Sequence, residues 1–235
     1  MKDSFDDIQS LLALEGIMLE KFRSEPFHNL HLIYRNHAIS RVPGGTCSDK
    51  TLSFLSAAEE AGFEVALHSG FIDGKEIHRL ARIRSHGRTF FADVGNGWPS
   101  LKLFPADADV DYRCFGMRFR SETAGSRIAI FHEKNGKETL QLEIERRSRP
   151  ESEIRADIAK RFSAGIIYPF SKNLRFSCII GERFVFLRGG RLEIYSDRNF
   201  EIIEGLDESV ISKILLTRPR EIIKMFDLGV VGNPR

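Results

Sequence analysis

The chain has 235 residues, 42% of them hydrophobic and 29% charged, with a formal net charge of +2. That composition suits a globular protein of one large domain or two to three small ones, and so weak a positive balance is not the footprint of a nucleic-acid binder. No apolar run is long enough to cross a bilayer, and MKDSFDDIQSLLALEG carries acids where a signal peptide carries basic residues. The cysteines, Cys47, Cys114 and Cys178, form an odd, sparse set without CxxC or Cys/His spacing. Neither a disulfide framework nor a metal site is expected, and the sequence suits a soluble protein of the reducing cytoplasm with no membrane partner.

In chain order, Asp6 to Phe22 carries apolar residues at helical spacing, with an interruption expected at Gly16. After Pro26, EPFHNLHLIY alternates and reads as extended, and Arg35 to Gly45 reads as a loop ending in PGG. Thr46 suits a helix N-cap with Asp49 three residues on, Leu52, Leu55, Ala58 and Phe63 follow at helical spacing, and Gly62 suits the stop. From Glu64 the period becomes that of strands: FEVALHSGFI, IHRLARIRSH, RTFFADVG, DYRCFGMRFRS, SRIAIFHEK and ETLQLEIERRS, with turns at HG and NGK. Pro150 to Ala164 reads as a helix with acids early and bases late. LRFSCIIG, RFVFLRGG and RLEIYSD read as strands, and Asp207 to about Met225 as a closing helix. This order predicts an α+β fold in three parts: a helical domain over 1–64, a β-barrel-like domain over 65–149, and a mixed α/β domain over 150–235. The pattern carries no signal for oligomeric state.

The chemistry centres on PGGTC. A cysteine that opens a helix behind two glycines sits at the positive end of the helix dipole, which favours its thiolate. Such a nucleophile needs a base, and the base an orienting group. His78 in IHRL and Asp93 in FADVGNG lie on two strands of one expected hairpin, which brings them side by side. His78 then takes the thiol proton and Asp93 steadies the imidazolium. Each residue also has a plainer reading, as a small buried hydrophobe, a strand residue and a turn former. Gly95 and Gly97 allow a tight turn whose amides face an anion. The run ERRSRPESEIRADIAKR reads mainly as solvated charge, and Trp98 as an anchor.

PGGTC, IHRL and FADVGNG, in that order, resemble the arylamine N-acetyltransferases. EPFHNL, YPFSKNLRFSCII, FLRGGRLEI and EIIKMFDLGV are similar to further stretches of that family. The resemblance implies a cysteine-protease-like Cys-His-Asp site. Cys47 would be the acylated residue, His78 the base and Asp93 the orienting acid. The donor it implies is acetyl-CoA or another acyl-CoA, as a substrate rather than a tightly bound cofactor. The partner is a small amine or hydrazine acceptor. Phe27 and Asn96 would line the acceptor pocket, Gly95 and Gly97 the turn near the CoA phosphates, and Ser171 would be a hydroxyl near CoA. The sequence departs from the family at Pro43, Asp49, Thr51 and Asn96, where arginine, glutamate, asparagine and an aromatic residue are usual, and the segment Leu30 to Gly44 is short. Cys-dependent amide synthesis, transglutaminase- or protease-like hydrolysis, and a non-catalytic module remain open beside acyl transfer.

Overall fold

The structure, a computed structural model, describes residues 2–34, 42–161, 168 and 170–217. Helix α1 spans Lys2–Ser24 and runs through Gly16 without the expected break. A Cβ at Gly16 would meet nothing, so the glycine costs only about 1 kcal/mol of helix propensity. Leu14, Met18 and Phe22 are buried on one face, each stabilising by about 1.5–3 kcal/mol, and burial prevails.

After Pro26 only Phe27–His28 is extended, as β1. Leu30–Tyr34 forms a short helix, α2, where an extended run was expected. Asn29 causes the change. Its carbonyl oxygen accepts from Leu32 N–H at 3.0 Å and Ile33 N–H at 3.3 Å, which starts a helical turn. Its side chain accepts from Arg175 N–H at 2.7 Å and donates to Asn173 O at 2.8 Å.

Helix α3, Cys47–Glu60, has the expected reciprocal capping box between Thr46 and Asp49, including Thr46 N–H donating to Asp49 Oδ2 at 2.9 Å. It ends in a Schellman motif, with Gly62 N–H on Glu59 O at 2.9 Å and Phe63 N–H on Ala58 O at 3.0 Å.

Strands β2 (Glu64–Ile72), β3 (Lys75–Ser85), β4 (Arg88–Ala92), β5 (Phe104–Pro105), β6 (Asp111–Cys114), β7 (Met117–Ala124), β8 (Arg127–Lys134) and β9 (Lys137–Glu145) form an antiparallel sheet. Its order is β5-β4-β3-β2-β9-β8-β7-β6. The order is open, so the sheet is a curled half-barrel with two edges. DYRCFGMRFRS, expected as one strand, is the hairpin of β6 and β7. Phe115 and Gly116 adopt φ of 51° and 72° there, as do the central residues of the turns at His86–Gly87 (50°, 75°) and Asn135–Gly136 (51°, 72°). Such turns match strand twist even when a bulky residue must take positive φ.

Helix α4 spans Glu151–Lys160; the rest of the expected helix, from 162, lies outside the described residues. Strands β10 (Arg175–Ile180), β11 (Arg183–Arg188), β12 (Arg191–Tyr195) and β13 (Phe200–Ile203) follow, then α5, Glu208–Thr217. The expected continuation toward Met225 is likewise outside the described residues. β13 had no separate signal in the sequence. The second sheet has the order β1-β10-β11-β12-β13, with Phe27 opposite Ser177. β1 therefore edges the last sheet, and a bridge from Phe27 to Gly45 ties that edge to the entry of α3. One core cluster joins α1, α3, the curled sheet and one face of the second sheet, through Met18, Phe54, Ala81, Phe90, Ile179 and Phe186 among others.

Candidate active site

Cys47 is the first residue of α3 and is 8% exposed. The two glycines before it serve the close approach of the loop to Pro26 and Asp49. A Cβ on Gly44 would fall 2.0 Å from Pro26 O, and one on Gly45 would fall 2.5 Å from Asp49 Oδ2. Gly45 N–H donates to Pro26 O at 3.1 Å, and His28 N–H donates to Gly45 O at 2.9 Å. The close approach at the cysteine comes from Gly95, whose added Cβ would lie 2.7 Å from both Cα and Cβ of Cys47.

His78 on β3 and Asp93 just beyond β4 are both buried. The β3–β4 register pairs Ala81 with Ala92; continued by one residue, it sets Asp93 diagonal to His78 on the same face. His78 Nε2 and Asp93 Oδ1 are 2.7 Å apart. The same Asp93 oxygen accepts from Asn96 N–H at 3.0 Å. With Nε2 so committed, Nδ1 is the nitrogen left for the thiol; the Cys47 thiol itself donates, at a long 4.0 Å, to Ile77 O, next to His78 in the chain.

Burial opposes the charge on His78, yet the Asp93 carboxylate, by charge and hydrogen bond, and Cys47 together lift its pKa to about 10. Burial likewise opposes the Cys47 thiolate. The hydrogen bond and charge of His78, then the backbone and charge of Arg79, outweigh it and bring the thiol below its ordinary value. Burial pushes Cys114 and Cys178 up to about 12. Of the three sulfurs, only Cys47 is held toward the thiolate.

The helix is tied to the histidine's strand by a residue that departs from the family pattern: Thr51 Oγ1 donates to Arg79 O at 2.9 Å. Arg79 is buried, and its Nη1 donates to His78 O at 2.8 Å. Asp49 has a second role, as a partner of Arg161. Arg149, Arg155 and Arg161 of the basic run are ion-paired, Arg149 with Glu76 at 2.7 Å and Asp157 at 2.6 Å.

Two cavities reach Cys47. One, of about 220 Å³, includes Arg79, Asp157, Lys160, Arg161 and Tyr168. The other, of about 260 Å³, holds His78 and four of the residues singled out in the sequence, Phe27, Gly95, Asn96 and Gly97. Trp98 lines it too and is anchored by a stacked contact with Phe186, centroids 4.4 Å apart. Ser171 is not among the residues lining either cavity; its hydroxyl accepts from Tyr168 N–H at 2.9 Å. Phe170 lines both cavities instead and meets Phe27 edge-on at 6.1 Å. The turn at Gly95–Gly97 has fewer free amides than expected, because Asn96 N–H is spent on Asp93. Sequence reasoning missed Arg79, Phe170, Arg175 and Phe186, which carry no local motif. Among the described residues no group of three His, Cys, Asp or Glu could hold a metal ion, and no helix is long and apolar enough to cross a membrane.

A thiol at a helix start, a histidine and a carboxylate on neighbouring strands, a curled antiparallel sheet and a second antiparallel sheet together define the fold. It is the fold of the arylamine N-acetyltransferases. The chain matches a Mycobacterium smegmatis N-arylamine acetyltransferase with a TM-score of 0.72 at 19% identity, over 94% of this chain and 89% of that one. It matches the arylamine N-acetyltransferase of M. tuberculosis with a TM-score of 0.72 at 17% identity, over 97% and 95%. A third match, from Bacillus cereus, is described as having a Cys-His-Glu catalytic triad; its TM-score is 0.69 at 15% identity, over 88% and 90%. No protein-family model matches the sequence, and no curated protein matches it.

Proposed function

We propose that the protein is an acyltransferase that moves an acetyl or other acyl group from acyl-CoA, through a thioester on Cys47, to a small amine or hydrazine. The observation that carries this reading is the buried Cys47–His78–Asp93 array with its thiol held toward the thiolate. The Cys47 sulfur attacks the thioester carbonyl, the new C–S bond forms, and the CoA thiolate leaves with the proton held on His78. The amine nitrogen then attacks the Cys47 thioester and the C–N bond forms. His78 takes the proton from nitrogen, and the Cys47 thiolate leaves. Splitting transfer in this way gives ping-pong kinetics. The N–H of Cys47, at the first helical residue, has no intrahelical acceptor and is available to the carbonyl oxygen. Asp93 keeps the ring oriented in both halves.

The cytoplasm, a reducing compartment, suits a protein whose chemistry needs a free thiol, and all three cysteines are free. The same array also serves hydrolysis and amide synthesis from carrier-bound acyl groups. The test is intact mass after mixing with several acyl-CoAs. A single acyl adduct mapped to Cys47 and discharged by an amine is expected. Cleavage of a peptide with no adduct from any acyl-CoA would replace this reading with a hydrolase.

A further inference from the structure

The second sheet turns one face to the site. On that face Ser177 Oγ donates to Gly97 O at 2.7 Å, and Phe186 stacks on Trp98 with 7° between the planes. Side chains two residues apart on a strand share a face. Arg175, two before Ser177, and Arg188, two after Phe186, therefore face the same way. The β10–β11 register sets them directly opposite each other. Arg175 lines the cavity that holds Cys47 and His78, and its guanidinium lies 5.8 Å from the centroid of the Phe170 ring. Arg188 is exposed.

Like charges set directly opposite on a sheet are destabilising. Arg191, opposite Arg188 on β12, is matched: it pairs with Glu193 and Glu204, each at 3.0 Å. Among the described residues no ion pair reaches Arg175 or Arg188. The carboxylate of Glu208 is committed to Leu174 N–H at 3.1 Å. Burial, and then Arg188, hold the Arg175 guanidinium below its ordinary value. Asp73, also on the wall of this cavity, disfavours an anion on its own side. The cavity thus runs from Cys47 and His78 to the Arg175 guanidinium, and exposed Arg188 stands opposite Arg175 at that end.

We propose that Arg175 and Arg188 form a phosphate-binding end of this cavity, so that the acyl donor is a phosphorylated thioester whose acyl end meets Cys47 while its phosphates lie against the two guanidinium groups. The paired N–H forks suit phosphate oxygens, and the anion removes the repulsion across the strands. This rests on the acyltransferase reading and places the donor's charge on the β10–β11 hairpin, not on the turn at Gly95–Gly97.

The test separates binding from chemistry. CoA binding is measured by calorimetry for the full chain and for Arg175→Gln, Arg188→Gln and the double variant. The double variant is expected to weaken binding on the order of ten- to a hundredfold, with the double Arg→Lys variant intermediate and thermal stability not reduced. The preference of Cys47 acylation for acetyl-CoA over S-acetylcysteamine, which has no phosphate, should fall by a similar factor. CoA affinity that is absent in the full chain, or unchanged in the folded double variant, overturns the proposal. Arginine-dependent CoA binding without acylation of Cys47 by either thioester supports the phosphate site and overturns the acyltransferase reading alone.

Discussion

A methyl group on Gly95 would fall 2.7 Å from the Cα and Cβ of Cys47 and 2.9 Å from its carbonyl oxygen. The turn after Asp93 is therefore packed against the backbone of Cys47, and the placing of carboxylate, imidazole and sulfur depends on that contact. Gly95→Ala must push the turn away. Overpacking of this kind costs about 1–3 kcal/mol. The expected outcome is a folded protein with a lower melting temperature whose Cys47 acylation falls about tenfold to a hundredfold, since small displacements at a reacting centre are expensive. Stopped-flow acylation and thermal melting check it; acylation at the parent rate would show that the contact does not set the geometry.

Asp93→Asn removes the charge that lifts His78. In the parent, the raised His78 pKa, about 10 against an ordinary 6.5, contributes stability that is complete below pH 6.5 and fades as pH rises through 10. Cys47 is the opposite case: its depressed pKa contributes above the ordinary value of 9.0 and fades as pH falls through the lowered one. Without Asp93 the imidazolium weakens and the thiol pKa rises. Iodoacetamide labelling at neutral pH should then slow at Cys47, and acyl transfer should fall on the order of 10²–10⁴-fold. In the parent protein Cys47 should label well ahead of Cys114 and Cys178, and equal rates for the three would contradict an activated thiolate.

Three other buried histidines behave in the reverse sense. Burial above all holds His28, His68 and His132 down at about 4. The unfolded chain takes up their protons near pH 6.5, so stability falls as pH drops from 6.5 to 4, by up to about 3 kcal/mol for each histidine. Urea midpoints measured at pH 6.5 and 4.5 should differ strongly. His28→Gln, which replaces a buried ring whose pKa burial holds down, should flatten that dependence.

Lys50, in the first turn of α3, is almost fully buried and donates to the carbonyls of Lys21, at 2.9 Å, and Glu25, across the end of α1. Burial foremost lowers its pKa from 10.5 to about 8. The unfolded chain holds this proton longer, so Lys50 makes stability rise between pH 8 and 10.5. Lys50→Met leaves two carbonyls unmatched and should cost about 1–3 kcal/mol while abolishing that rise, both read from chemical unfolding at pH 7.5 and 10.

Asn96 places a polar amide on the cavity wall it shares with Phe27. Its own N–H is held by Asp93, a backbone contact that substitution of the side chain retains. Asn96→Phe should restore ring contact with an aromatic amine, worth about 0.5–1.5 kcal/mol. Aminolysis of the Cys47 thioester should rise relative to acylation by up to about tenfold. A variant slowed in acylation instead would assign residue 96 to the donor.

The start of α3, the Schellman stop at Gly62 and the turns at His86–Gly87 and Asn135–Gly136 were legible because each is decided within a few residues. A capping box or a positive φ needs no distant partner. Cys47, His78 and Asp93 were legible for a related reason: one begins a helix, and the other two sit on consecutive strands of a single hairpin. The split of DYRCFGMRFRS was hidden, because Phe115 takes a positive φ that its type disfavours and only the pairing of β6 with β7 compels. The helix at Leu30–Tyr34 was hidden too, since Asn29 is held by Asn173 and Arg175, far along the chain. The same holds for the cavity. Phe170, Arg175 and Phe186 share a cavity wall with Cys47 only because β1 pairs with β10, setting Phe27 opposite Ser177. Local sequence determined that Cys47 opens a helix and that His78 and Asp93 share a hairpin. The tertiary structure alone decided what surrounds it, because pairing across about 150 residues is selected by the burial and hydrogen bonding of the whole sheet, not by any motif within it.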